Sequence, residues 1–343
     1  EEISKFLGSD HSTLLIDHKM LIENFEDALY AAETPTPRSA FVPMYLLFRA
    51  VKDDGIKVVL TGEGADEMFF GYDLFREIMV KQAIRCGAEL KEVASLLSQL
   101  NTFLPSQKNL QKFLALKYSN YKKLSENNGM FSSHSERDNL GTIARLFLKT
   151  DYKGNDWIKY LNRKYPSFIN MSELERARIL EIESLLAGNL LCTQGDRISM
   201  ANSVENRSPF LDRDFAIFAK NIYPEAHFDE IHGEKAILKK AYEGLIPERI
   251  LKRKKFPYRA PDAFSFANSF GREYVLDRLQ NIESDVFDAR RFEKFCELLL
   301  AKKNISPRED HAFMLTFSGL VVEQLINKRN KNNSVSFLEH SSI

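Results

Sequence analysis

The stretch TGEGADE, residues 61–67, contains two glycines and three acidic residues, one between the glycines and two after them. Backbone N–H groups of a glycine loop that leads into a helix suit an anion such as phosphate. Carboxylates beside such a loop (here Glu63, Asp66 and Glu67) are typical of a bound divalent cation or of a base for proton transfer. The alternative interpretation is an acid-rich helix start, where Asp and Glu favour the helix dipole. These residues alone favour a ligand site and a simple helix cap about equally.

The elements around this loop predict how it is positioned. Residues 56–60, IKVVL, form an apolar run without alternation, which predicts an interior strand of a parallel sheet. Gly62 and Gly64 then let the backbone turn sharply and a ligand come close, at the strand end where open α/β sheets bind ligands. A strand over 13–16 and helices over 19–32 and 44–51 precede it. This order predicts an α/β fold with helical crossovers.

The remainder of the chain is predicted to be mainly helical. Residues 76–167 show helical patterns and no convincing strand. Capping patterns mark later helix starts at Ser172 with Glu175, at Asp212, and at Ser306 with Glu309. The helix after Ser306 is apolar nearly all round through Leu325, which predicts burial, and residues 331–343 are predicted to be a flexible tail.

Composition argues against several classes of protein. The sequence has 48 Lys and Arg residues and 48 Asp and Glu residues, so its charge favours neither nucleic acid nor an anionic membrane surface as a partner. Cys86, Cys192 and Cys296 lack CxxC spacing, which predicts a reducing, cytoplasmic compartment and no zinc site. No apolar stretch is long enough to span a bilayer.

Four ordered blocks together resemble one family. They are ETPTPRSAFVPMYLL (33–47), KVVLTGEGADEMFFGYDLF (57–75), QGDRISMANSVENRSPFLD (194–212) and KRKKFPYRAP (252–261). The chain, from its first residues to about Phe266, resembles the synthetase domain of glutamine-dependent asparagine synthetases. The resemblance implies a parallel-sheet domain of the ATP-pyrophosphatase (adenine nucleotide alpha hydrolase-like) type over residues 1–330. Its sheet-forming part would span 1–75, and a large, mainly helical part would span 76–330.

The resemblance also implies a reaction. Family members adenylate the side-chain carboxylate of aspartate with Mg-ATP, release pyrophosphate, and let ammonia from glutamine displace AMP. By resemblance, Thr61, Gly62 and Gly64 bind ATP. Asp66 is expected to face Mg²⁺, and Glu63 is similar to the family acid proposed to receive a proton from ammonia.

Further site residues are implied by the other blocks. Lys255 matches a lysine in the family pattern R-x-K-x-P-Y-R-A-P that contacts the phosphates, with Lys254 one position away and a solvated charge run as the alternative. Arg38 and Ser39 match a loop that lines the amino-acid pocket, unless this is simply a rigid surface loop. Asp196 is a substrate-binding candidate with an undecided role. Structural roles are favoured for Glu205, Arg207 and Asp212, with buried ion pairs among the acids and bases of this block.

The departures from the family pattern suggest a part of a longer protein. The family's pyrophosphate loop, S-G-G-x-D-S, occurs nowhere in the sequence, and residue 1 is Glu. The expectation is a synthetase cut within its ATP domain, inactive as residues 1–343 alone, with a glutaminase domain upstream and homodimer formation left open. Alternatives are a relative with another acid or nucleophile, of the β-lactam synthetase, lasso-peptide cyclase or antibiotic amidotransferase type, and a non-catalytic interaction module. Glu63 mildly favours ammonia over an internal amine.

Overall fold

The computed structural model describes residues 2–89, 91–93, 140–150, 157–229, 232–253, 260–280 and 282–340, with single positions 96, 116, 119, 134 and 258. Most of these residues are helical. The α-helices are Glu2–Leu7, His18–Glu23, Phe25–Ala32, Phe41–Asp53, Ala65–Met68, Asp73–Arg85, Trp157–Lys164, Glu173–Glu181, Ile198–Ala201, Arg213–Lys220, Ala236–Ala241, Glu248–Leu251, Asp262–Ser265, Ser269–Leu279, Ala289–Leu299 and Pro307–His340. Short 3₁₀ turns occupy Ala144–Phe147, Phe168–Asn170, Pro209–Leu211 and Pro224–His227.

Within the described residues, two small sheets accompany these helices. Strand β1 (Val58–Leu60) pairs in parallel with β2 (Glu205–Arg207), and β3 (Phe228–Asp229) pairs antiparallel with β4 (Gly233–Glu234). The parallel pairing confirms the coarse prediction of a parallel strand followed by helices. The predicted burial of β1 is wrong, because Leu60 is 72% exposed and Val58 39% exposed. In the part of the chain described, β1 has one partner strand, and only its Val59 face packs on the core.

The amino-terminal segment departs from prediction at two places. Residues 13–16 form no strand, and Leu15 is 83% exposed, because no described strand offers this segment a ladder. The helix predicted over 19–32 is interrupted at Asn24. Its side-chain amide donates to the Met20 carbonyl at 2.8 Å, while its Oδ1 accepts from Arg49 at 2.9 Å. Asparagine competes in this way with backbone hydrogen bonding and favours a helix end.

The principal core joins the two ends of the chain. Rings of Phe25, Phe266, Phe313 and Phe317 are fully buried, with centroid separations of 5.4–5.8 Å among most pairs. The last two rings lie on the Pro307–His340 helix, which confirms its predicted burial. That helix continues to residue 340, past its predicted end at Leu325. The division into parts and the flexibility of residues 331–343 remain predictions.

Local capping was predicted correctly. Ser172 and Glu175 form a reciprocal capping box, and Asp212 accepts from two backbone N–H groups of the next helix. Ser306 and Glu309 bond reciprocally where the final helix starts. After the first of these caps the helix runs on through Ile182–Arg197, where the hydrogen bonding is of π type, and ends at Ala201. Among the described helices, none is at once long and apolar enough to cross a membrane.

Candidate functional site

Thr61 attaches the glycine–acid loop to both parallel strands. Its N–H donates to the Arg207 carbonyl at 2.8 Å, continuing the ladder one residue beyond β1. Its hydroxyl donates to Asn206 Oδ1 at 2.9 Å and lies 3.2 Å from the Ser208 hydroxyl. Residues 61–67 therefore lie at the carboxyl ends of β1 and β2, the edge where parallel sheets bind ligands.

The two loop glycines are subject to different constraints. Gly64 has φ +87°, and a Cβ atom there would overlap the Leu211 side chain. Gly62 has an ordinary φ, and no atom lies within 4 Å of the position its Cβ would take. The fold therefore requires glycine at residue 64. At residue 62 the described protein leaves open space, which is the kind of room that close backbone approach to a ligand needs.

The three loop acids lie in three different environments. Glu67 is buried and accepts a hydrogen bond from the Tyr72 hydroxyl at 2.7 Å. Burial raises the pKa of Glu67 to about 7, against the opposing effect of that hydrogen bond. Asp66 forms an ion pair with Lys235 at 2.8 Å, and Glu63 is partly buried. Glu67 is thus part of the packed interior beneath the loop, while the Asp66 carboxylate is paired with the ammonium of Lys235.

Lys235 is a candidate that sequence reasoning missed. It adopts a left-handed backbone (φ +56°) at the start of helix Ala236–Ala241, an uncommon conformation for a non-glycine residue. A Cβ atom at Gly71 would overlap both the Asp66 carboxylate and the Lys235 side chain. The Asp66–Lys235 pair therefore forms beside a strained backbone at residue 235. It also occupies the space that a side chain at residue 71 would fill. No short motif marks Lys235, because its partner is far away in sequence.

A resident metal is not indicated by the described side chains. Among them, no three His, Cys, Asp or Glu residues group as a metal site. Asp66 alone, already paired with Lys235, does not make a protein cage for a cation. Magnesium that arrives with a nucleotide keeps phosphate and water ligands and needs only one or two carboxylates, so Asp66 fits that mode. The Mg²⁺ expectation stays a prediction.

The proline-rich loop, residues 33–40, ends where the helix Phe41–Asp53 begins, so Pro43 of the same block lies in that helix. The loop is held by side chains from distant parts of the chain. Asp262 accepts hydrogen bonds from Ser39 N–H at 2.6 Å, from Ser39 Oγ at 2.9 Å and from Arg38 Nη1 at 2.8 Å. The Ser318 hydroxyl bonds both the N–H and the carbonyl of Thr36, at 2.9 and 3.0 Å. Ser39 is fully buried, so its observed contacts anchor the loop. In the described structure no hydrogen bond or ion pair joins Arg38 or Ser39 to residues 61–67.

The 194–212 block corrects one expectation. Glu205 and Arg207 pair with each other at 2.7 Å, but their side chains are 55% and 60% exposed, so this ion pair is not buried. Both project from β2 on the face opposite Asn206, the face that is also open beside Leu60 of β1. The Asp196 side chain is exposed, whereas Arg197 donates to the Ala32 carbonyl at 2.8 Å, next to the proline-rich loop. Lys254 and Lys255 lie outside the described residues.

Comparison with known proteins identifies the family of this chain. A family model described as asparagine synthase matches residues 1–321, so the chain belongs to the asparagine synthase family. Amidase chyE of Penicillium rubens is 30% identical over 312 residues, covering 82% of this chain and 44% of that protein. Amidase chry2 of Gibberella zeae is 26% identical over 285 residues, covering 76% and 40%. Glutamine-hydrolysing asparagine synthetase 1 of Bacillus subtilis is 25% identical over 289 residues, covering 84% and 43%. The chain thus spans less than half the length of these relatives.

Proposed function

We propose that this chain carries the ATP-dependent step of an amide-forming ligase. In this reaction a carboxylate oxygen of the acid attacks the α-phosphorus of ATP, the bond to the β-phosphate oxygen breaks, and pyrophosphate leaves. Ammonia then attacks the acyl carbon of the adenylate, the bond to AMP breaks, and a base takes a proton from nitrogen. The observation that carries the proposal is the glycine–acid loop at the carboxyl ends of β1 and β2, in a chain of this family.

Six of the predicted residues have a role in this proposal. Thr61, Gly62 and Gly64 border the nucleotide, since Gly62 leaves space beside the strand ends. Glu63 is the base that takes the proton from ammonia. Lys255 stabilises the negative charge that develops on the phosphate oxygens in the transition state. The guanidinium of Arg38 binds a carboxylate of the acid substrate.

We add Lys235 as a second cation of the nucleotide site. Its ammonium lies 2.8 Å from the carboxylate of Asp66 in the glycine–acid loop. A lysine placed there neutralises the acid before phosphates arrive and offers them a positive charge afterwards. Magnesium, when bound with the nucleotide, would supply further charge neutralisation at the phosphate oxygens, and Asp66 is the residue that would hold it.

The acid substrate is proposed to be aspartate or a related carboxylic acid. Relatives are named both as asparagine synthetases and as amidases, which favours the general reaction over one acid. An upstream glutaminase domain as the ammonia source, a homodimeric assembly and a cytoplasmic location are part of the same proposal. The cyclase-type alternative replaces ammonia by an internal amine, and a non-catalytic module would bind without turnover.

Acid-dependent ATP–pyrophosphate exchange in the full-length protein tests the proposal. We expect exchange with aspartate or another acid of a panel, and AMP release once ammonia is added. Asp66→Asn should lower exchange at least about a hundredfold with an unchanged fold, because one nucleotide-facing charge is lost. Glu63→Gln should slow the ammonia step more than the exchange. Absence of exchange with every acid would favour the non-catalytic module.

A further inference from the structure

Arg38 is held at one nitrogen and leaves the rest of its guanidinium available. Its Nη1 donates to Asp262 Oδ2 at 2.8 Å and lies 3.8 Å from Asp310 Oδ2. Its Nε and Nη2 groups make no hydrogen bond to any described residue, and the side chain is 36% exposed. A guanidinium carries five N–H donors in a rigid plane, so fixing one end fixes the direction of the others.

Asp262 is the residue that fixes this end. Its carboxylate is 95% buried, since its exposed fraction is 5%, and it accepts three hydrogen bonds through both oxygens. Two of these come from Ser39, so the carboxylate holds the backbone of the proline-rich loop as well as the adjacent arginine. A buried carboxylate is stable only when charge and hydrogen bonds compensate its desolvation, which makes this arrangement specific to these partners.

Asp262 also follows directly on the basic segment. It opens the short helix Asp262–Ser265, seven residues after Lys255 in the sequence. Asp310, at the start of the Pro307–His340 helix, accepts from Ala263 N–H at 2.8 Å and so also holds this short helix. Asp262 therefore links the two segments: its backbone continues from the segment predicted to bind the phosphates, and its side chain binds the segment predicted to bind the acid.

We propose that Asp262 is a positioning residue that aims the free N–H groups of Arg38 at the carboxylate of the acid substrate. The inference rests on the proposed ligase function and deepens it. It makes the affinity for the acid depend on a residue that does not itself contact the acid. Asp262→Asn would keep the shape and one oxygen acceptor but lose the charge that holds Arg38.

The test is steady-state pyrophosphate exchange in the full-length protein, with the acid and ATP varied separately. For Asp262→Asn we expect the KM for the acid to rise at least about tenfold, because small displacements of a substrate-binding group have large effects, and the KM for ATP to stay within about twofold. Asp262→Glu keeps the charge but displaces it by one methylene, so it should raise the same KM. Asp288→Asn is the matched control, because Asp288 caps the helix Ala289–Leu299 through the Arg291 N–H and, in the described structure, bonds to neither Arg38 nor Asp262. It keeps an oxygen acceptor for the cap and should change the KM by less than about threefold.

A double-mutant cycle separates positioning from general support. In an Arg38→Ala background, Asp262→Asn should add little to the KM, since its effect runs through the arginine. Unchanged KM values in both Asp262 variants, or full additivity with Arg38→Ala, would overturn the inference. If Asp262→Asn does not fold, the glutamate variant decides by the same criterion. Absence of acid-dependent pyrophosphate exchange in the unsubstituted protein would instead contradict the proposed function.

Discussion

Gly62 and Gly64 stand two residues apart, yet the structure constrains only one of them. The left-handed backbone of Gly64 and its contact with Leu211 belong to the fold itself. The space above Gly62 is open in the described structure, so a side chain there would conflict only with a ligand. The sequence motif does not distinguish the two roles, and a pair of matched substitutions does.

Gly64→Ala should destabilise the protein by about 1–3 kcal/mol, because alanine is strained at that φ and overlaps Leu211. Gly62→Ala should change stability by less than about 1 kcal/mol and weaken ATP binding at least about tenfold. Denaturant unfolding and isothermal titration with Mg-ATP measure the two effects. Equal loss of stability in both variants would show that Gly62 is also a structural glycine.

The buried carboxyl of Glu67 predicts a pH-dependent stability. Its folded pKa is about 7, above its ordinary value of 4.5, so the folded protein binds the proton more tightly than the unfolded chain. Stability from this group is therefore present below about pH 4.5 and is lost as pH rises through about 7. Glu67→Gln keeps an acceptor for Tyr72 and never ionises. It should be more stable than the unsubstituted protein at pH 8, by on the order of 1–3 kcal/mol.

Urea unfolding at pH 5 and pH 8 checks this difference, which should shrink at the lower pH. Glu205→Gln is the control, because that carboxylate is exposed and stays ionised over this range. Its effect should be the same at both pH values. A Glu67→Gln effect that does not change with pH would mean that the Glu67 carboxyl is ionised in the folded protein throughout.

At the scale of elements, the Pro307–His340 helix secures the proline-rich loop through one hydroxyl. Ser318 bonds both backbone groups of Thr36, and these atoms lie in the buried interior. Thr316, two residues earlier on the same helix, is equally buried, but its hydroxyl has no hydrogen-bond partner among the described residues. The helix therefore offers a bonded and an unbonded hydroxyl that are equally buried.

Ser318→Ala should lower the free energy of unfolding by about 2 kcal/mol or more, because it leaves the buried Thr36 N–H without its acceptor and the Thr36 carbonyl without its donor. Thr316→Val should cost less than about 1 kcal/mol, since no hydrogen bond is lost and the shape is kept. Thermal unfolding gives both values, and hydrogen exchange of the Thr36 amide should accelerate only in the serine variant. A larger cost for the threonine variant would contradict this assignment.

At the scale of the whole molecule, the core depends on contact between the two ends of the chain. Phe25 packs on Phe317 with ring centroids 5.4 Å apart, and Phe266 packs on both. Removing the final helix would expose these rings and leave the proline-rich loop without Ser318. The stability of the amino-terminal helices is thus inseparable from residues near 317.

A chain ending at residue 306 should therefore fail to unfold cooperatively, whereas one ending at residue 329 should keep most of its stability. The shorter chain loses Phe313 and Phe317, and burial of each such ring contributes on the order of 2–3 kcal/mol. Circular dichroism melts of both truncations are the measurement. A cooperative transition in the shorter chain would show that residues 2–306 form a core without the final helix.

Local features were determined by the sequence alone. The capping boxes at Ser172 and Ser306, the cap at Asp212 and the loop after β1 depend on contacts over a few residues, so their patterns predict them. Family blocks also identified Thr61, Asp66, Arg38 and Ser39 as candidates. The exposure of β1 did not follow from its sequence, because an apolar run such as 56–60 is buried only when other elements cover both faces of the strand.

Only the tertiary structure decided which partners these residues meet. Asp262 binds Ser39 across 223 residues, and Ser318 binds Thr36 across 282. Lys235 directly follows strand β4, which pairs with β3, and its own backbone is left-handed. Together these features place its ammonium beside Asp66. Such contacts depend on the whole path of the chain and leave no local pattern. The sequence therefore identified the acids and the arginine of the candidate site, and the fold determined the side chains that hold and neutralise them.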